Sequence, residues 1–201
     1  MALRLSIHAD FEAAEESAKA VIDAGGLVVY PTDTLYGLGC SALDGKAVAR
    51  IYEIKKREGK KPLSILVSDF GMLREYCDTT PEQEKILHEL LPGPYTFILK
   101  LKKRLPVSET LSVGVRVPEH MFMRQVAKEL GVPIVSTSAN LSGEPDAAEL
   151  TGVDKEIADA ADLVLDGGRC KYAQGSTVID LVEMKVIRKG AVREGDRIEF
   201  G

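Results

Sequence analysis

Helices and strands alternate along this chain, which predicts an α/β (α+β) fold: an open, twisted, mixed β-sheet with flanking helices. Three observations carry that prediction. Short apolar runs at 27–30 and 63–67 read as buried strands, the stretch 11–22 places apolar residues at helical spacing, and glycine and proline punctuate the joins. The 201 residues suit a single domain, with the chemistry-bearing segments inside about 10–190. A composition of 45% hydrophobic and 28% charged residues argues against disorder and fibres.

Leu3, Leu5 and Ile7 alternate with polar residues as in a half-buried strand. Asp10 is placed to cap the helix in which Phe11, Ala14, Ala18, Val21 and Ile22 share a face, and Gly25-Gly26 ends it. A buried strand follows at 27–30, closed by Pro31. Ala47, Val48, Ile51 and Tyr52 mark a second helix, 63–67 a strand, and 81–91 a helix stopped by Pro92-Gly93-Pro94. Strands are expected at 95–101 and 113–117, a helix at 119–130 and a strand at 132–135. The chain closes with strands at 163–165, 177–182 and 185–188, the last two as a hairpin. The segment 143–152 mixes glycine, proline and acids without an apolar stripe, and is expected to be a mobile loop.

The net charge of −5 argues against indiscriminate binding to nucleic acid or anionic membrane, so any phosphate contact must come from a local basic cluster. Three scattered cysteines, without a C-x-x-C, form neither a disulfide framework nor a zinc site. No signal peptide and no membrane-length apolar run is visible, so a cytoplasmic location is expected.

Three segments carry chemistry. Residues 31–39, Pro-Thr-Asp-Thr-Leu-Tyr-Gly-Leu-Gly, follow a buried strand, where α/β proteins usually place ligands. Their hydroxyls either bond their own backbone in a Pro/Asp turn or hold a small polar substrate. The run Gly37-Leu38-Gly39-Cys40-Ser41-Ala42 mimics a dinucleotide fingerprint but lacks the strand-to-helix turn. Residues 39–46 miss the phosphate-binding loop pattern by one residue, and Ala47 stands where a hydroxyl is needed. Next, 55–61 holds five basic residues in seven at a helix end, either a solvated face or a polyphosphate site. Finally, Ser136-Thr137-Ser138-Ala139-Asn140-Leu141-Ser142-Gly143 packs four hydroxyls and one amide into eight residues. A helix cap would use only one of them.

Arg116, inside the apolar run 113–117, requires an internal carboxylate or a ligand anion. Gly175-Ser176-Thr177 and Arg188 add polar groups at strand ends. The histidines show no metal spacing, Cys40 reads as a small buried residue, there is no G-x-S-x-G elbow, and no aromatic ladder exists for stacking bases.

Taken in order, 30–38, Ile54-Lys55-Lys56-Arg57 with Lys61-Pro62-Leu63, Pro92-Gly93-Pro94-Tyr95-Thr96, Val115-Arg116-Val117-Pro118, 136–143 and Gly175-Ser176-Thr177-Val178 resemble the motifs of the YrdC/TsaC family. The likeness runs from about residue 25 to residue 188. It implies an open sheet with a concave basic site and a nucleotidyltransferase activity. L-threonine, bicarbonate and ATP become L-threonylcarbamoyladenylate and pyrophosphate, with Mg²⁺ on the triphosphate. The product is the donor for N6-threonylcarbamoyladenosine at position 37 of tRNAs reading ANN codons, made by a downstream tRNA threonylcarbamoyltransferase complex. By similarity Thr32, Arg116, Ser138 and Ser176 hold threonine, while Lys55, Arg57, Ser112, Asn140 and Arg188 hold ATP, Lys55 and Arg57 facing the phosphates; no resident metal site is implied. The sequence departs from the pattern at Glu58, Leu66 (where relatives often have His) and Ala148, and the C-terminal extension domain that some relatives carry is not expected here. The alternative reading is a double-stranded RNA or tRNA-binding or ribosome-maturation factor, resting on the 55–61 cluster. A carbamoyl-transfer module would need fused zinc-finger segments that this chain lacks.

Overall fold

The structure, a computed structural model, describes residues 2–56 and 61–198. Strand β1 (Leu3–Ser6) leads to α1 (Phe11–Asp23), whose N-cap Asp10 accepts a bond from the Ala13 amide. Then come β2 (Val28–Tyr30), β3 (Gly37–Gly39) and α2 (Gly45–Ile54), capped by Asp44. They are followed by β4 (Ser64–Leu66), α3 (Phe70–Tyr76), β5 (Cys77–Asp78) and α4 (Pro81–Leu90). Thr80 and Gln83 close a reciprocal capping box on α4, and proline at its first position needs no hydrogen-bond partner there. The chain continues through β6 (Tyr95–Leu101), β7 (Ser112–Arg116), α5 (Met121–Leu130) and β8 (Ile134–Ser138). It ends with α6 (Lys155–Ala160), β9 (Leu163–Asp166), β10 (Thr177–Asp180) and β11 (Lys185–Arg188).

The strands form one mixed sheet in the order β1-β9-β2-β3-β8-β4-β7-β6-β10-β11, with β5 pairing on β6. β9 lies parallel to both β1 and β2, β4 parallel to β7 and β10 parallel to β6, while β3 and β8 run antiparallel to both their neighbours, β6 antiparallel to β7 and β10 antiparallel to β11. The core holds Tyr30, Tyr36, Tyr95, Phe97 and Phe122, all fully buried. Each aromatic of this kind contributes roughly 2–3 kcal/mol of hydrophobic stabilisation. Helix α1 lies on α5, with Phe11 edge-on to Phe122 at 5.1 Å between centroids.

Several expectations from the sequence are corrected. Residues 37–39 are a strand, not the tail of a flexible loop: β3 is wedged between β2 and β8, and a Cβ on Gly39 would lie 2.2 Å from the Val135 carbonyl. Strand β8 reaches Ser138 rather than ending at 135, because β3 and β4 both pair with it and supply its ladder. Helix α5 starts at Met121 rather than 119, since the Glu119 amide donates instead to Asp33 Oδ2 at 2.9 Å. The short α3, α6 and β5 went unread, too brief for a periodic signal. Within the 143–152 segment the backbone is held at 147–148, where Tyr36 N donates to the Ala147 carbonyl and Cys170 N to that of Ala148, both at 2.8 Å, while 143–146 are exposed.

Candidate functional site

The strand register builds a floor on one face of the sheet. Side chains on a strand alternate between faces, so paired residues share one. Across the sheet Gly37 pairs with Ser138, Ser136 with Ser64, Gly114 with Ile98, and Thr96 with Val178. Gly114 keeps that floor open: a Cβ there would lie 2.5 Å from Ser64 Oγ and 2.9 Å from Thr96 Cγ2. Above it opens a cleft of about 450 Å³, lined by these residues and by Thr32, Thr34, Arg116, Asp146, Gly175, Ser176 and Arg188. Thr32, Arg116, Ser138, Ser176 and Arg188, nominated from separate segments, thus meet at one site. It lies on the sheet face, not at the sheet edge.

The 31–40 stretch is buried throughout. Thr32 Oγ1 accepts from the Thr34 and Leu35 amides and donates to the Leu35 carbonyl at 2.7 Å, so its hydroxyl braces its own turn while facing the cleft. Arg116 has its internal carboxylate. One Nη2 donates both to Asp33 Oδ1 at 2.9 Å and to Thr34 Oγ1 at 2.8 Å, while Nε–H, although buried, has no partner among the described residues. Burying an unpaired donor is costly, which marks this guanidinium as prepared for an anion. Opposite, Arg188 Nη2 donates to the Ser176 carbonyl at 3.0 Å, and Ser176 Oγ lies 2.8 Å from Thr96 Oγ1.

Lys55 and Asn140 stand behind the floor. Lys55 is buried, and its ammonium donates to the Ser138 carbonyl at 2.5 Å and the Asn140 carbonyl at 2.7 Å. Asn140 Oδ1 accepts from Ser138 Oγ at 2.6 Å, and its amide nitrogen donates to the Glu144 carbonyl at 2.6 Å. The pair fixes the end of β8. Ser112 shares the face of Gly114 and Arg116 but lies beyond the cleft lining, its hydroxyl 3.0 Å from Thr110 Oγ1. Arg57 and Glu58 lie outside the described residues. Lys56 pairs with Glu156 at 2.6 Å, so the 55–61 cluster is no continuous patch of free cations. Leu66 is fully buried and pairs in register with Arg116.

Sequence reasoning offered the Thr34 hydroxyl together with that of Thr32, but missed Asp33, Ser64, Thr96 and Asp146 as site residues. Ser64 and Thr96 carried the signal used for Arg116, a polar side chain in an apolar strand. Asp33 carried none beyond standing beside Thr32. The thiols are not nucleophiles: all three cysteines are buried, and burial pushes Cys40 up to about 12. Burial likewise holds the Tyr36 phenol up at about 12. Among the described residues no three of His, Cys, Asp or Glu gather where a metal could be held, and no helix is long and apolar enough to cross a membrane.

The fold and cleft define an open α/β protein whose sheet face carries a cleft lined by two guanidinia and several hydroxyls, with no cysteine in that lining. The Sua5/YciO/YrdC family model, described as telomere recombination, matches residues 20–190, and the chain belongs to that family. A Methanocaldococcus jannaschii protein is 37% identical over 203 residues, covering 97% of this chain and 95% of its own length. The threonylcarbamoyl-AMP synthase of Bos taurus is 35% identical over 190 residues, covering 89% of this chain and 68% of its own. Among solved structures, P. abyssi Sua5 complexed with L-threonine superposes with a TM-score of 0.85 at 31% identity over 94% of this chain, which spans 57% of that longer protein. E. coli YciO gives 0.85 at 27% identity over 97% of this chain and 98% of its own.

Proposed function

We propose that this chain synthesises L-threonylcarbamoyladenylate from L-threonine, bicarbonate and ATP, releasing pyrophosphate, as the donor for N6-threonylcarbamoyladenosine in tRNA. One observation carries the reading: Arg116, locked by Asp33 and Thr34, keeps an unpartnered Nε–H beside a hydroxyl-lined cleft. A planar guanidinium of this kind suits an amino-acid carboxylate. The named relatives and the threonine-bound neighbour supply the substrate class.

Thr32, Arg116, Ser138 and Ser176 hold threonine. Its amine and bicarbonate condense to a carbamate and water, and a carbamate oxygen attacks the α-phosphorus of ATP as pyrophosphate leaves. Arg188, Ser112, Asn140, Lys55 and Arg57 serve the nucleotide, Lys55 and Asn140 by fixing the β8 end against which it lies. Mg²⁺ enters with ATP as part of the substrate. Positioning and charge stabilisation do the catalysis, which accounts for a site rich in cations and hydroxyls without a nucleophile–base pair. The adenylate then passes, in the cytoplasm, to a tRNA threonylcarbamoyltransferase complex. The RNA-binding alternative is less favoured, since in the described part of its cluster Lys55 is buried and Lys56 pairs with Glu156.

The test is pyrophosphate release from Mg-ATP with and without threonine and bicarbonate, with the adenylate identified by mass. Release that needs both co-substrates supports the proposal; release indifferent to threonine overturns it.

A further inference from the structure

Among the described residues Asp146 is the only acidic side chain lining the cleft, and its carboxylate makes no hydrogen bond or ion pair with any of them. It is exposed, but its place is fixed by the chain beside it. Ala147 is buried, and the carbonyls of Ala147 and Ala148 are each held at 2.8 Å, by the amides of Tyr36 and Cys170. Side-chain freedom at 146 therefore hangs from an anchored backbone.

Gly175 shows where the carboxylate points. A Cβ built on Gly175 would stand 3.7 Å from Asp146 Oδ2, 3.6 Å from Arg188 Nη2 and 3.7 Å from Leu35 Cδ1. The free carboxylate and a cleft guanidinium thus border the same small space beside Gly175, and no ion pair joins them.

Resting on the threonine reading above, we propose that Asp146 is the acceptor for the α-ammonium of the amino-acid substrate. A zwitterion brings one anion and one cation into the cleft. Arg116, with its idle Nε–H, answers the carboxylate, and Asp146 is the one carboxylate of the cleft lining, among the described residues, left to answer the ammonium. The contact also sets the geometry of the step that follows, because the nitrogen Asp146 holds is the one that forms the carbamate once its ammonium has given up a proton to solvent.

The experiment is calorimetric titration of wild type and Asp146→Asn with three probes: L-threonine, 2,3-dihydroxybutanoate (hydroxyl in place of the amine) and Mg-ATP. The expected result is threonine affinity about tenfold weaker in the variant, as for loss of one charge-assisted hydrogen bond. Affinity for the amine-free acid and for Mg-ATP should be unchanged, and Asp146→Glu should recover part of the threonine loss. Equal weakening of both acids, a loss confined to Mg-ATP, or no change in any titration would overturn the assignment. If wild type binds no threonine, the proposed function itself fails and the assignment with it, an outcome distinct from the other three.

Discussion

Asp33 and Arg116 meet at 2.9 Å with their side chains only 1% and 10% exposed. The second oxygen of Asp33 accepts from the Glu119 amide, so one carboxylate joins the β2–β3 turn to β7 and to the approach of α5. A buried pair is a weak source of net stability, but removing one partner strands the other. Asp33→Ala is therefore expected to cost about 3 kcal/mol in urea unfolding. Asp33→Asn, which keeps the shape, should unfold closer to wild type yet raise the KM for threonine, because Arg116 is held less firmly. An Asp33→Ala variant as stable as wild type would show that the pair bears little on the fold.

Lys55 gives a second prediction. Its ammonium is spent on the carbonyls of Ser138 and Asn140. Lys55→Met keeps most of the buried stem but leaves both carbonyls short of a donor, so stability should fall by about 3 kcal/mol. Lys55→Ala should nearly abolish ATP binding by calorimetry. Loss of ATP affinity with unchanged stability would assign Lys55 to direct phosphate contact rather than to bracing β8.

Two glycines should respond in opposite directions. At Gly39 a methyl group meets the Val135 carbonyl at 2.2 Å and the Tyr30 ring at 2.9 Å, so Gly39→Ala should lower stability by about 3 kcal/mol or prevent folding. At Gly45, which opens α2, the nearest atom would be Pro106 Cβ at 3.9 Å, an ordinary contact. Gly45→Ala should raise stability by about 0.5 kcal/mol through reduced freedom of the unfolded chain. Thermal melts of the two variants decide both signs.

His120 makes stability depend on pH. Burial pushes its imidazole below the usual 6.5, with His8 adding to the shift and the Asp33 charge opposing it, and Nδ1 has no partner. The unfolded chain then binds the proton more readily than the folded one. This contribution is complete above about 6.5 and is lost as pH falls through the folded value, with a slope of at most about 1.4 kcal/mol per pH unit. His120→Gln should flatten the urea midpoint between pH 7 and 5. Asp69, held low by the Met72 amide, and Glu84, held low by Arg74, should still cost stability in the more acid range, as pH falls below the usual carboxylate values. An unchanged slope above pH 5 in the variant would exclude His120 as the source.

The long elements were legible because their periodicity is local. The alternation at 95–101, the helical spacing at 11–22 and the cap at Asp10 each lie within one element. The polar residues that make the site were legible one by one, because a hydroxyl or an arginine in an apolar strand violates its own pattern. Their neighbours were not. Asp33 and Arg116 lie 83 residues apart, and Asp146 and Arg188 come near one another only in the folded chain, beside Gly175.

The sequence by itself determined the alternating α/β architecture, the chemical character of the site and the family likeness, since composition, spacing and ordered motifs are properties of the chain. Only the tertiary structure decided that β3 is a strand, that Lys55 turns inward, that the 147–148 backbone is anchored and that the site occupies the sheet face. Each of those depends on register. Which residue faces which across a sheet is set by pairing between distant strands, and a shift of one residue would send Ser64, Gly114 and Arg116 to the opposite face.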